Sequence, residues 1–273
     1  MKAASNRLSR GRMVSVKRFA IVPFSFAVVL FCIVSASTAL ADLLYTFDGT
    51  SIDTNTWRLT RASSISQNNA LFLTGASNPG YPAQLTTKDV ELGIGGSAQV
   101  QITITDHTSQ NFVPCGWLGL TTDDTKTTVF FDSYAVSTEL DITPASIPGY
   151  SAAYFYGGGY GTGVAQSFPV ALDTVYSLRL ERLTDTSVRY TVLDSANSII
   201  AQNTRTLPSF TSPLYVAIGS VSVDATFDNL QLSGNIIFVP EPSAALLLAV
   251  GVAAALWREI QVVSYSEKRN RLR

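Results

Sequence analysis

The chain has 273 residues, rich in aromatics and poor in charge, with 14% Asp, Glu, Lys and Arg. That apolar content excludes a disordered chain, and the abundance of Thr, Ser and aromatic residues favours strands over helices. The formal net charge of −1 hides an uneven distribution: from Asp42 to Pro242 there are 8 basic and 18 acidic residues, a net charge of −10 between two basic ends. An acidic body is the opposite of a nucleic-acid-binding face, so no nucleic acid is expected as a partner.

In chain order, Lys2, Arg7, Arg10, Arg12, Lys17 and Arg18 form a basic head free of acids. An apolar run from Phe19 to Leu40 follows and ends in Ala39-Leu40-Ala41. A basic head, an apolar stretch and an A-x-A step are the layout of a secretory signal peptide, predicted as a signal helix over residues 1–41 with the mature chain starting at Asp42. The alternative is an uncleaved anchor, since the run is long and contains Pro23.

Cys32 falls in that leader, which leaves Cys115 alone in the mature chain. No internal disulfide is available to it. With His107 as the only histidine, a lone cysteine is expected to be a small buried apolar residue and not part of a metal cluster.

The body, residues 42–238, reads as short strands. Gln99 to Thr105, Tyr176 to Glu181 and Ser187 to Val192 alternate polar and apolar residues with period two. The second and third are separated by a turn at Thr184-Asp185-Thr186. Ile199 to Ala201 and Leu214 to Ile218 are further strands. No helical period occurs between Asp42 and Phe238. Alternating runs punctuated by Asp, Asn, Ser and Gly predict an all-β antiparallel β-sandwich, and the length suits a jelly roll. Gly157 to Gly163 is glycine-rich, but it lacks G-x-G-x-x-G spacing and a P-loop lysine, and it reads as a hairpin loop.

Beyond the body, Val239-Pro240-Glu241-Pro242 breaks regular structure and exposes Glu241 on extended backbone. Ser243 to Trp257 is apolar or small; as a helix it would be ~22 Å long, a short transmembrane span. Its alanines and leucines run all round the helix, which argues against the alternative of a helix buried along one stripe. Arg258, Lys268, Arg269, Arg271 and Arg273 follow and would sit on the cytoplasmic side.

This last segment, residues 239–273, resembles the PEP-CTERM sorting signal of Gram-negative bacteria. The resemblance implies recognition by an exosortase, a transient membrane anchor in the unprocessed form at the inner membrane, and delivery to the cell surface or extracellular matrix. That system is associated with extracellular polysaccharide and biofilm. Glu259 and the long tail through Val263 depart from the family pattern.

The body carries a second resemblance. Phe47-Asp48-Gly49-Thr50 through Trp57 is similar to the opening of concanavalin A-like lectin/glucanase (LamG-like) domains, and Asp224 to Leu232 is similar to their closing strand, which pairs with the first. The hairpin Tyr176 to Leu193 matches the one near the end of that fold. The resemblance implies that Asp228 and a carbonyl of Gly49 help hold a structural calcium ion. Asp228 is expected on the apolar face with Leu230 and Leu232, and Thr46 stands where the family has Glu.

Glucanases of this kind carry Glu-x-Asp-x-Glu or Glu-x-Asp-x-x-Glu. Glu139-Leu140-Asp141-Ile142-Thr143-Pro144 begins that motif and lacks its final acid. Glu139 and Asp141 would share one strand face and are expected as two exposed acids at a strand end. Hydrolysis needs an acid for the leaving oxygen as well as a nucleophile. The expectation is therefore a non-catalytic protein that binds carbohydrate, an extracellular polysaccharide for example, through Tyr156, Tyr160 and Trp117. The alternative is a glycoside hydrolase with a degenerate acidic motif.

Overall fold

The structure is a computed structural model that describes residues 42–75, 82–107, 115–123, 136–142, 152–157, 163–207, 214–239 and 250–258. The signal segment 1–41, residues 240–249 of the sorting segment and residues 259–273 lie outside them. In chain order the strands are β1 (Leu43–Tyr45), β2 (Trp57–Thr60), β3 (Ile65–Gln67), β4 (Leu71–Leu73), β5 (Ala83–Leu92) and β6 (Ser97–His107). Then come β7 (Cys115–Thr121), β8 (Val136–Asp141), β9 (Ala152–Gly157), β10 (Val164–Ser167) and β11 (Val175–Arg182). The last are β12 (Ser187–Leu193), β13 (Ile199–Thr206), β14 (Leu214–Val221), β15 (Val223–Ser233) and β16 (Ile236–Phe238).

They form two antiparallel sheets. The first runs β13-β12-β11-β6-β15-β4-β3, with β1 also paired to β15. The second runs β10-β9-β8-β7-β14-β5-β16, with β2 also paired to β5. The period-two stretches read from the sequence all lie in strands, and the Thr184–Thr186 turn closes the β11–β12 hairpin through Leu183 N–H to Ser187 O. The opening and closing segments meet as the resemblance implied: Tyr45 pairs with Leu230 and Leu43 with Leu232. Trp57 is buried, its ring packed edge-on against Tyr45 at 5.1 Å.

The core lies between the sheets. Ile102, Leu178, Tyr190 and Phe227 contribute from the first, and Leu85, Leu118, Leu140, Phe155 and Ile218 from the second. Gly116 sits on the core face of β7, where a Cβ would collide with Ile102 Cδ1. A glycine there lets the two sheets approach. Two polar bonds tie the second sheet's β9 to the first sheet: Tyr190 Oη–H donates to Tyr156 O at 2.9 Å, and Arg205 Nη1–H donates to Phe155 O at 2.7 Å.

β15 departs from strict alternation. Asn229 adopts a left-handed φ of 51°, and the pairing of β15 with β6 shifts between Asp228 and Gln231. This inserted residue is a β-bulge, and it reverses the phase of the strand. Val223, Ala225 and Phe227 are buried before it, and Leu230 and Leu232 after it. Asp228 therefore does not share the apolar face of Leu230 and Leu232, contrary to expectation.

β16 is the last strand among the described residues, and Val239 N–H donates to Asp89 O. Residues 250–258 are helical and almost entirely exposed, including Trp257 and Arg258. Among the described residues no helix is long and apolar enough to cross a membrane.

Candidate functional site

Strand alternation sets up the site. On β7, β8 and β9 the residues Leu118, Leu120, Leu140, Ala153 and Phe155 face the core. Their neighbours Cys115, Trp117, Ser137, Glu139, Asp141, Tyr154 and Tyr156 must then face the other side of the second sheet. Cross-strand register arranges them in rows. Cys115, Asp141 and Ala152 are opposite one another, as are Trp117, Glu139 and Tyr154 in the next row. Ser137 and Tyr156 follow, opposite Gly119 on β7.

The centre of this face is buried. Glu139 and Asp141 are only 3% and 2% exposed. They share one face, as the sequence predicts, but they are not exposed acids at a strand end. Ser137 Oγ–H donates to Glu139 Oε1 at 2.8 Å. Burial pushes both carboxyls above their usual range; for Glu139 the bonds from Ser137 and Cys115 partly offset this, and for Asp141 the neighbouring Glu139 adds to it. Burial, then Glu139 and Asp141, push the Cys115 thiol up as well.

Cys115 is buried, as expected, yet its setting is not purely apolar. Its Sγ and one carboxylate oxygen from each of Glu139 and Asp141 all lie within 4.8 Å of one another. Cys115 is a lone cysteine with two carboxyls beside it. Nothing local in the sequence announces this grouping, because it depends on the register between β7 and β8.

Trp117 is fully buried, packed with Cys115, Ala217 and Val221. A Cβ at Gly219 would collide with its Cζ2 atom, so the glycine makes the space for the indole. Trp117 thus has no free face for a sugar ring, contrary to expectation. Tyr154 and Tyr156 are partly exposed and stack on each other at 5.8 Å with an interplanar angle of 15°. Tyr160 lies outside the described residues, as do Thr143 and Pro144. Tyr154, which is not among the ligand residues expected from the sequence, stacks on Tyr156, and Gly163 packs against the Tyr156 ring.

The calcium residues are placed differently. Asp228 accepts from Asn229 N–H at 2.7 Å and from Asn229 Nδ2 at 3.2 Å. Gly49 O accepts from Asn69 N–H at 3.0 Å, and Thr46 Oγ1–H donates to Asp48 Oδ2 at 2.6 Å. Calcium takes about six to eight oxygen ligands with several charges among them. These groups are engaged with local donors, and one carboxylate with one carbonyl does not fit that requirement.

Comparison with solved structures shows the same two-sheet architecture in winged bean acidic lectin, solved with methyl-α-D-galactose. Identity is 9%, the TM-score is 0.52, and the match covers 72% of this chain and 99% of that one. The fold is a lectin-like jelly roll. Peanut lectin, solved with a nine-residue peptide, matches at 8% identity and a TM-score of 0.50, over 74% of this chain and 100% of its own. A Mycobacterium tuberculosis protein described as an immunostimulatory antigen and pseudo β-1,3-glucanase matches at 11% and 0.50, over 71% of this chain and 98% of its own. No family model and no curated protein matches the sequence.

Proposed function

We propose that this protein is an exported, non-catalytic carbohydrate-binding jelly roll of the bacterial cell surface or extracellular matrix. The observation that carries the reading is the stacked, partly exposed Tyr154–Tyr156 pair on the outer face of the second sheet. Aromatic faces stack on the apolar faces of sugar rings, and a rigid strand presents them at little entropic cost. The lectin-like fold supports the same reading.

Absence of catalysis is supported by the state of Glu139. A glycosidase nucleophile must be ionised and must face a second carboxyl that serves the leaving oxygen. Glu139 is buried and pushed toward its protonated form beside Asp141, and the sequence offers no acid at Thr143 or Pro144. The hydrolase reading rests on Glu139 and Asp141 sharing a face, as in the glucanase motif.

Export and sorting rest on the sequence. The leader over 1–41, Val239-Pro240-Glu241-Pro242, the apolar segment and the basic tail support an exosortase substrate, transiently anchored in the inner membrane. Val239 N–H donates to Asp89 O, and the Pro-Glu-Pro step follows directly in the sequence.

A glycan array probed with the protein and with Tyr154→Ala and Tyr156→Ala tests the binding reading. Retention of a defined glycan set, reduced about tenfold or more by either variant, is expected; tenfold corresponds to about 1.4 kcal/mol. No retention, or retention indifferent to both variants, rejects it. Release of reducing sugar from a β-glucan, lost in Glu139→Gln, would establish the hydrolase instead.

A further inference from the structure

The Cys115, Glu139 and Asp141 group is not explained by sugar binding or by packing. Its three side chains come from adjacent strands and turn toward one point, with the ligand atoms within 4.8 Å of one another. All three are at most 3% exposed. Glu139 accepts from Ser137 and from the Cys115 thiol. Asp141 Oδ1 is a separate matter: it is wholly buried, belongs to a side chain aimed into the group, and has no hydrogen-bond partner. Among the described residues no lysine or arginine pairs with either acid. A buried carboxyl keeps its proton, pairs with a cation or coordinates a metal, because an uncompensated charge in the interior is costly.

We propose that Cys115, Glu139 and Asp141 are the protein ligands of a single divalent transition-metal ion of the zinc class. The donor set selects the ion. A thiolate ligand discriminates against calcium and magnesium, which take oxygen, and suits zinc, which accepts sulfur and carboxylate oxygen together. Zinc binds sulfur at about 2.3 Å and carboxylate oxygen at about 2.0–2.2 Å, so tetrahedral ligands stand about 3–4 Å apart. Binding would require the observed spacing to tighten to that range by rotation about the side-chain bonds of Glu139 and Asp141. Binding displaces the Cys115 thiol proton and any carboxyl protons to solvent, and the metal takes up the thiolate and carboxylate electron pairs. Three protein ligands leave a fourth position for water. The ion would join β7 to β8 and occupy the unpaired Oδ1 atom of Asp141. This inference stands independently of the Tyr154–Tyr156 pair that carries the carbohydrate-binding reading.

The test uses the full chain, freed of metal by chelator, with cobalt(II) as a spectroscopic probe. The expected result is a near-ultraviolet thiolate-to-cobalt charge-transfer band that saturates at about one ion per chain and is displaced by zinc, not by calcium. The chain has a second cysteine, Cys32. The band should therefore persist in Cys32→Ser and vanish in Cys115→Ser. Asp141→Asn should weaken zinc binding at least tenfold, and a saturating excess of zinc should raise the thermal midpoint of the Cys32→Ser chain by about 5 °C. If Cys115→Ser does not fold, the Cys32→Ser chain decides alone, since Cys115 is then its only thiol. No charge-transfer band in that chain, together with a midpoint unmoved by zinc, overturns the proposal.

Discussion

Cys115 on β7 stands directly opposite Asp141 on β8, on the sheet face turned away from the core, and both are buried. Their pairing gathers ionisable groups at a place where a β-sandwich would otherwise present solvent-facing residues. The consequence is a dependence of stability on pH with a definite sign.

In metal-free protein, the Asp141 carboxyl is held above its unfolded value by burial and by Glu139. Below the unfolded carboxylate range both states carry the proton, and no penalty arises. As pH rises from there toward the folded value, the native state holds a proton that the unfolded state has lost, so stability falls. Asp141→Asn removes that titration. Urea unfolding in chelator should show the variant gaining on wild type between acidic and mildly alkaline pH. A gap that stays constant across that range would show that Asp141 titrates normally.

Gly219 faces the Trp117 ring. A methyl group there meets Trp117 Cζ2 and, at 2.7 Å, the backbone oxygen of Ala83. The backbone contact has no cheap relief, so Gly219→Ala should cost about 1–3 kcal/mol, the usual range for overpacking a filled interior. A shifted urea midpoint with an unchanged slope is the expected readout, accompanied by an altered tryptophan emission spectrum.

Calcium should have no effect on the sandwich. Asp228 is turned off the apolar face by the bulge at Asn229, and its oxygens are bonded to Asn229. Thermal unfolding with millimolar calcium and with chelator should give identical midpoints. A calcium-dependent rise would show that the Gly49 turn and Asp228 rearrange around an ion, by the mass-action effect of a ligand bound to the native state alone.

Export makes a prediction about mass. In a host with a matching exosortase, the surface-associated protein should begin at Asp42 and end near Glu241. Mass spectrometry of the extracellular pool measures both ends at once. An intact basic tail there, with Arg258 and Lys268 still attached, would reject processing at the Pro-Glu-Pro step.

Local pattern alone determined a good deal. Period-two alternation at Gln99–Thr105, Tyr176–Glu181 and Ser187–Val192 identified strands because a half-buried strand must alternate, whatever its partners. The Thr184–Thr186 turn was legible because its residues make the turn themselves. The pairing of the opening segment with the closing strand Asp224–Leu232 is what the family resemblance implies, and the structure realises it where Tyr45 meets Leu230. What the tertiary structure alone decided depends on register and on what surrounds a side chain. The bulge at Asn229 reversed the face of Asp228, since one inserted residue flips every later side chain. Burial of Glu139, Asp141 and Trp117 could not be read from strands whose alternation places them off the core. The meeting of Cys115 with two acids lying more than twenty positions along the chain exists only once β7 and β8 are in register, because cross-strand hydrogen bonding sets which residues face each other.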